Sequence, residues 1–131
     1  MSADTAKIKK DNVVIVDSSD FMRRILKNMI LDHSFQIFEA SDNASALRLA
    51  ANHNPKVVFV SMEGNQNWPS LVKSIKSRGA CRVVAYSTGI TRESVASAYF
   101  AGVDEILASP QNQKERVEKC LITGAGIAIG R

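Results

Sequence analysis

The chain holds 131 residues, 45% of them apolar and 23% charged, with a net charge of +4. That is apolar material for one core of ordinary domain size. The cationic excess is spread without a long run of Lys or Arg, so it reads as a solvated surface rather than a nucleic-acid tail. No apolar run approaches the roughly 20 residues of a membrane span, no secretory leader is recognisable, and Cys81 and Cys120 stand in no metal or redox spacing; a cytoplasmic protein with two free thiols is expected.

Residues 1–11 are polar and expected to be flexible. Asn12–Val16 is a buried-strand pattern, and it ends in Asp17-Ser18-Ser19-Asp20, a run of helix-capping residues. A first helix follows, with Phe21, Met22, Ile25, Met29 and Ile30 as its apolar stripe, and stops near Leu31–Ser34. Phe35–Ala40 reads as a second strand. Ser41-Asp42 caps a second helix to about Asn52, whose inner face is expected at Ala44, Leu47, Ala50 and Ala51. Asn54-Pro55 breaks it. Lys56–Ser61 then carries four consecutive apolar residues, three of them β-branched, the mark of a strand buried on both faces at the centre of a parallel sheet.

An Asn-rich loop leads to Pro69, suited to the first position of a third helix, with Leu71, Val72 and Ile75 as its stripe and Arg78-Gly79 at its end. Arg82–Tyr86 is a strand ending in Ser87-Thr88-Gly89. Thr91 caps a fourth helix to about Ala101, with Val95, Ala98, Tyr99 and Phe100 partly buried and Gly102 as its stop. Asp104–Ala108 is the last strand. After Ser109-Pro110 a fifth helix spans about Asn112 to Thr123, and residues 124–131 are expected to form a flexible tail. One domain thus covers residues 12–123. Five alternations of strand and helix, without a repeat or a linker, imply right-handed crossovers: an α/β fold, a doubly wound five-stranded parallel sheet of order 2-1-3-4-5, flavodoxin-like.

In such sheets the working site lies beyond the carboxyl ends of the strands. There the chain places Asp17, Ser61, Ser87 and Ser109, one carboxylate and three hydroxyls expected to converge on one crevice. No base stands beside the serines to activate them. His33 and His53 are the only histidines and both fall on the opposite rim. There is no GxSxG elbow, Walker loop or GxGxxG. The two negative charges of Asp17-Ser18-Ser19-Asp20 disfavour an anion at that helix start.

Four separated segments, in order, carry a resemblance. They are Val13–Asp17 with the helix start through Leu26, Val57–Ser61, Val83–Thr88, and Ala101-Gly102-Val103-Asp104-Glu105-Ile106-Leu107-Ala108-Ser109-Pro110. Over roughly residues 12–122 the chain resembles a response-regulator receiver domain of the CheY-like kind. The resemblance implies an Mg²⁺ held by an acidic pair after the first strand, a phosphoacceptor Asp ending the third, a switch Ser/Thr ending the fourth, and a Lys after the fifth. At these positions the chain has Asp17 followed by Ser18, then Ser61, Ser87 and Ser109; Ile106 replaces the aromatic switch residue.

Phosphoryl transfer to a receiver needs a carboxylate nucleophile, a metal and a cation to offset phosphoryl charge. With these missing, the chain is expected to be a pseudo-receiver, not an enzyme, with no cofactor and no bound metal. It is expected to act by contact with a signalling protein, kinase or effector in a two-component or chemotaxis-type pathway, with neither nucleic acid nor membrane as partner. The face of the fourth helix, fifth strand and fifth helix, which the resemblance implies for partners or a homodimer, offers Arg92, Tyr99, Phe100, Ile106, Gln113, Arg116 and Lys119. The alternative is a sensor for a small ligand, a nucleotide or cyclic dinucleotide, in the hydroxyl crevice, with Trp68 stacking on its base. Glu63, two residues after Ser61, is expected to be an exposed loop carboxylate rather than a partial refill of the metal site, and Trp68 to cover the sheet or anchor the loop rather than stack on a ligand.

Overall fold

The computed structural model describes residues 11–30 and 34–124. The expectations for the polar start, for His33 and the end of the first helix, and for the tail beyond Gly124 fall outside these residues, except that Asp11 already belongs to a strand. The elements are β1 (Asp11–Val16), α1 (Asp20–Ile30), β2 (Phe35–Ala40), α2 (Asn43–His53), β3 (Val57–Ser61), α3 (Trp68–Lys76), β4 (Arg82–Ser87), α4 (Arg92–Ala101), β5 (Glu105–Ala108) and α5 (Lys114–Gly124). All strands are parallel, in the order β2-β1-β3-β4-β5.

The sheet is buried on both faces, which is why its inner strands read as unbroken apolar runs. Alternate residues go to opposite layers. Val14, Val16, Val58, Val60, Val83 and Ala85 pack under α2, α3 and α4, against Ala46, Leu71, Val72, Ile75 and Ala98. Val13, Ile15, Val57, Phe59, Val84 and Tyr86 pack under α1 and α5, against Leu26, Ile30, Val117, Cys120 and Leu121. Every residue of β3 is buried.

Helix ends follow local chemistry. Asp42 accepts the Ser45 N–H at 2.8 Å and starts α2; Asn54 closes it in a left-handed conformation (φ 45°). Thr91 and Ser94 form a reciprocal capping box on α4, and Gly102 ends that helix at φ 107°, a region where a side chain is strained. Asp104 accepts both the Val83 N–H (2.8 Å) and the Lys76 ammonium (2.7 Å), tying β4 to α3 at the amino rim.

Several expectations are corrected. Phe21 is 68% exposed, and Leu26 takes the core position on α1 instead. On α2 the inward residues are Ala46 and Ala50, with Leu47 half-buried, whereas Ala44 and Ala51 face solvent. Trp68, not Pro69, is the first residue of α3. The segment Pro110–Asn112 is a separate 3₁₀ turn, so α5 begins at Lys114 rather than Asn112. Tyr99 and Phe100 are exposed rather than partly buried.

Candidate functional site

The carboxyl ends of β1, β3 and β4 bring Asp17, Ser61 and Tyr86 onto one row. Val16 is the register partner of Val60, so Asp17 follows beside Ser61, and Ser61 is the partner of Tyr86. All three side chains fall on the α1/α5 side of the sheet by strand alternation. Asp17 is 6% exposed. Its Oδ1 accepts the Ser19 N–H at 2.8 Å and its Oδ2 accepts the Tyr86 hydroxyl at 2.7 Å. Burial, then the charge of Asp17, pushes the Tyr86 phenol far above its ordinary value of 10.

The serines turn inward on their own loops. The Ser61 hydroxyl donates to the Glu63 carbonyl (3.2 Å) and accepts the Glu63 N–H (3.1 Å). Ser87 makes the same pair with Gly89, at 3.2 and 3.1 Å. Ser109 is half-buried in a left-handed conformation (φ 48°), and its N–H donates to the Ser87 carbonyl. The β3–α3 loop is pinned over this end. Asn65 Nδ2 donates to Asn43 Oδ1 at 2.7 Å, the Thr88 hydroxyl donates to Glu63 Oε2, and a Cβ on Gly64 (φ 69°) would stand 2.9 Å from Ser18 Oγ.

The strand-end residues therefore do not share one crevice. Asp17, Ser18 and Ser61 line a hollow of about 250 Å³ between β1, α2 and the β3–α3 loop. Ser87 lines a separate, more open one toward α4, and Ser109 lines neither. The first hollow is lined by the acidic residues Asp17, Asp42 and Glu63 and by no Lys or Arg, which is poor chemistry for a phosphate-bearing ligand. Trp68 is buried in the α2–α4 layer with the sheet residues Val14, Val16, Val58 and Val60, as a sheet-covering side chain rather than an open stacking platform. Glu63 is exposed and engaged by Thr88. His53 lies at the amino rim, where its carbonyl accepts from Asn12 and its ring stacks on Phe38.

On the expected partner face, Arg92, Tyr99 (56% exposed), Phe100 (83%) and Lys119 are open to solvent. Phe100 lies under Lys73 of α3, 5.1 Å from ring centre to ammonium, and so looks toward α3. Ile106 is half-buried against the core. Gln113 donates to the Ala108 carbonyl, and Arg116 is bound to Glu105 at 3.0 Å alongside Arg82. Tyr86 was missed by the sequence reading, although a phenol ending an apolar strand signals a need for an acceptor.

A family model for the response regulator receiver domain matches residues 13–120. The chain belongs to that family, the receivers of two-component and chemotaxis response regulators. Among solved structures it is similar to the chemotaxis protein CheY4 of Vibrio cholerae, with 18% identity and a TM-score of 0.79 over 88% of this chain and 98% of that one. The response regulator domain of Thermotoga maritima CheB gives 23% identity and 0.77 over 92% and 100%. The receiver domain of NtrX from Brucella abortus gives 22% and 0.76 over 86% and 96%. No curated protein matches the chain significantly.

The Mg²⁺ implied by the family does not fit these residues. Ser18 and Ser61 are neutral, and the Asp17 carboxylate has both oxygens engaged within the protein. Among the described residues no three His, Cys, Asp or Glu stand together as a metal-binding group. No described helix is long and apolar enough to cross a membrane.

Proposed function

We propose that this receiver works without phosphorylation, as a pseudo-receiver that signals by contact with a protein of its pathway, a kinase or effector. It is not an enzyme on this reading. The observation that carries it is the closed hydrogen bonding at the acceptor position. Ser61 turns its hydroxyl onto the Glu63 backbone, and the neighbouring Asp17 carboxylate is held by the Tyr86 phenol and the Ser19 N–H rather than by Ser61. A hydroxyl so placed is a poor phosphoryl acceptor, because its proton has nowhere to go and no cation offsets the incoming charge.

The contact surface on this reading is α4 with β5 and α5. Tyr99 supports it: a large aromatic side chain left in solvent is what a contact surface uses. The test is the amide spectrum of ¹⁵N-labelled protein before and after Mg²⁺ with beryllofluoride, a phosphoryl mimic. No shift at Asp17, Ser61, Ser87 and Ser109 is expected. Shifts there that spread to α4 and β5 would show a working phosphorylation switch and overturn the proposal.

A further inference from the structure

The row Asp17–Ser61–Tyr86 crosses three adjacent strands, β1, β3 and β4. Neighbouring strands are about 4.8 Å apart, so a side chain starting on β4 passes over β3 to reach β1. Tyr86 does this: its hydroxyl meets Asp17 Oδ2 at 2.7 Å, with both residues buried. The residue beneath is Ser61, one of the smallest side chains available. The phenol therefore covers Ser61 on the α1/α5 side, while the hollow that Asp17, Ser18 and Ser61 line toward α2 stays open.

We infer that Tyr86 is the residue that disables this site, by reaching across Ser61 to hold the Asp17 carboxylate that a metal ion would need, so that the hollow beside Asp17, Ser18 and Ser61 keeps its volume but loses its ligand. This deepens the phosphorylation-independent reading and rests on it. Ser61 and Tyr86 form a matched pair. A carboxylate at position 61 would lie under the ring and beside Asp17, where like charges repel and water is excluded. Restoring the acidic residues alone leaves Asp17 held by the phenol, so it does not restore a metal site. The Asp17 carboxylate accepts from protein on both oxygens and is turned inward, and a divalent cation competes with the phenol for it.

The experiment compares Ser18→Asp/Ser61→Asp with the same double variant carrying Tyr86→Val. Both are titrated with MgCl₂ by calorimetry and by the amide shifts of residues 17–19. Dispersed amide spectra establish that each is folded. The double variant is expected to show no saturable binding at millimolar Mg²⁺. The triple variant is expected to bind about tenfold tighter or better, the scale on which groups around a metal's ligands tune affinity. Equal binding by the two overturns the inference. So does the absence of binding in a folded triple variant, which would place the obstruction in the Gly64 loop. Should the valine variant not fold, Tyr86→Phe reads the hydroxyl alone: a smaller gain of the same sign is expected, and no gain overturns the assignment. The unmutated protein in the same titration separates the two claims. If it binds Mg²⁺ the phosphorylation-independent reading fails, whereas the variant series fails only the role of Tyr86.

Discussion

A buried phenol needs an acceptor and a buried carboxylate needs donors, and at the end of this sheet each is the other's partner. Asp17 keeps a second donor in the Ser19 N–H, and Arg23 reaches back to the Asp17 carbonyl while pairing with Asp20 and Glu39. The acidic residue that the family devotes to a metal is thus a structural acceptor here. Tyr86→Phe removes one donor and leaves Oδ2 buried without it. The expected cost is about 1–3 kcal/mol of unfolding free energy, measured by urea denaturation at neutral pH. A change below a few tenths would mean that water replaces the phenol. This pairing was hidden in the sequence because it joins residues on two non-adjacent strands. Ser61 and Ser87 do end β3 and β4, as a polar residue closing an apolar run suggests, but they line separate hollows.

Among the elements, the strands were more legible than the helix faces. A strand buried on both sides announces itself by continuous Val, Ile and Phe, as in β3 and β4, and needs no choice of phase. A helix needs a phase. On α1 the apolar residues fill an arc of about half the circumference, and the sheet takes its Leu26–Ile30 side and leaves Phe21, at the opposite edge, in solvent. On α2 alanines recur on every side, and the buried pair is Ala46 and Ala50. On α4 the burial of Ala98 and Ala101 turns Tyr99 and Phe100 outward. With core packing supplied by the alanines, the two aromatic residues are free to serve a surface. Reversing charge at Arg92 and Lys119, both exposed, together with Tyr99→Ala is expected to abolish capture of the partner protein by the immobilised domain, with the amide spectrum otherwise unchanged. Arg116 is left out of this test because its pair with Glu105 ties α5 to the sheet edge. Undiminished capture would move the interface off α4, β5 and α5.

At the scale of the whole molecule, the fold class and strand order read directly from the alternation of elements, and the family follows from four motifs in order. Pocket geometry did not, because which loop lies over which strand end depends on contacts such as Asn43–Asn65 and Glu63–Thr88 that no local pattern records. The buried acids give the molecule a pH dependence. Burial pushes the Cys120 thiol up to about 12 and the Tyr86 phenol well above 10, while the unfolded chain releases these protons near 9 and 10. Each group's folded pKa is raised, so its contribution is intact below the unfolded value and is lost as pH rises through it, by up to about 1.4 kcal/mol per pH unit per group. Urea-unfolding free energies are expected to be flat from neutral pH to about 9 and to fall above 10; a flat profile throughout would show that these groups ionise in the folded protein. The Tyr86–Asp17 bond also joins positions 69 residues apart in the chain. During synthesis the carboxylate emerges several seconds before the strand that satisfies it, at the usual rate of about 5–20 residues per second. The bond forms only when β4 docks beside β3, so its formation marks assembly of the sheet as far as its fourth strand. Losing it is therefore expected to act mainly on how fast the finished domain comes apart, and little on how fast it first collapses.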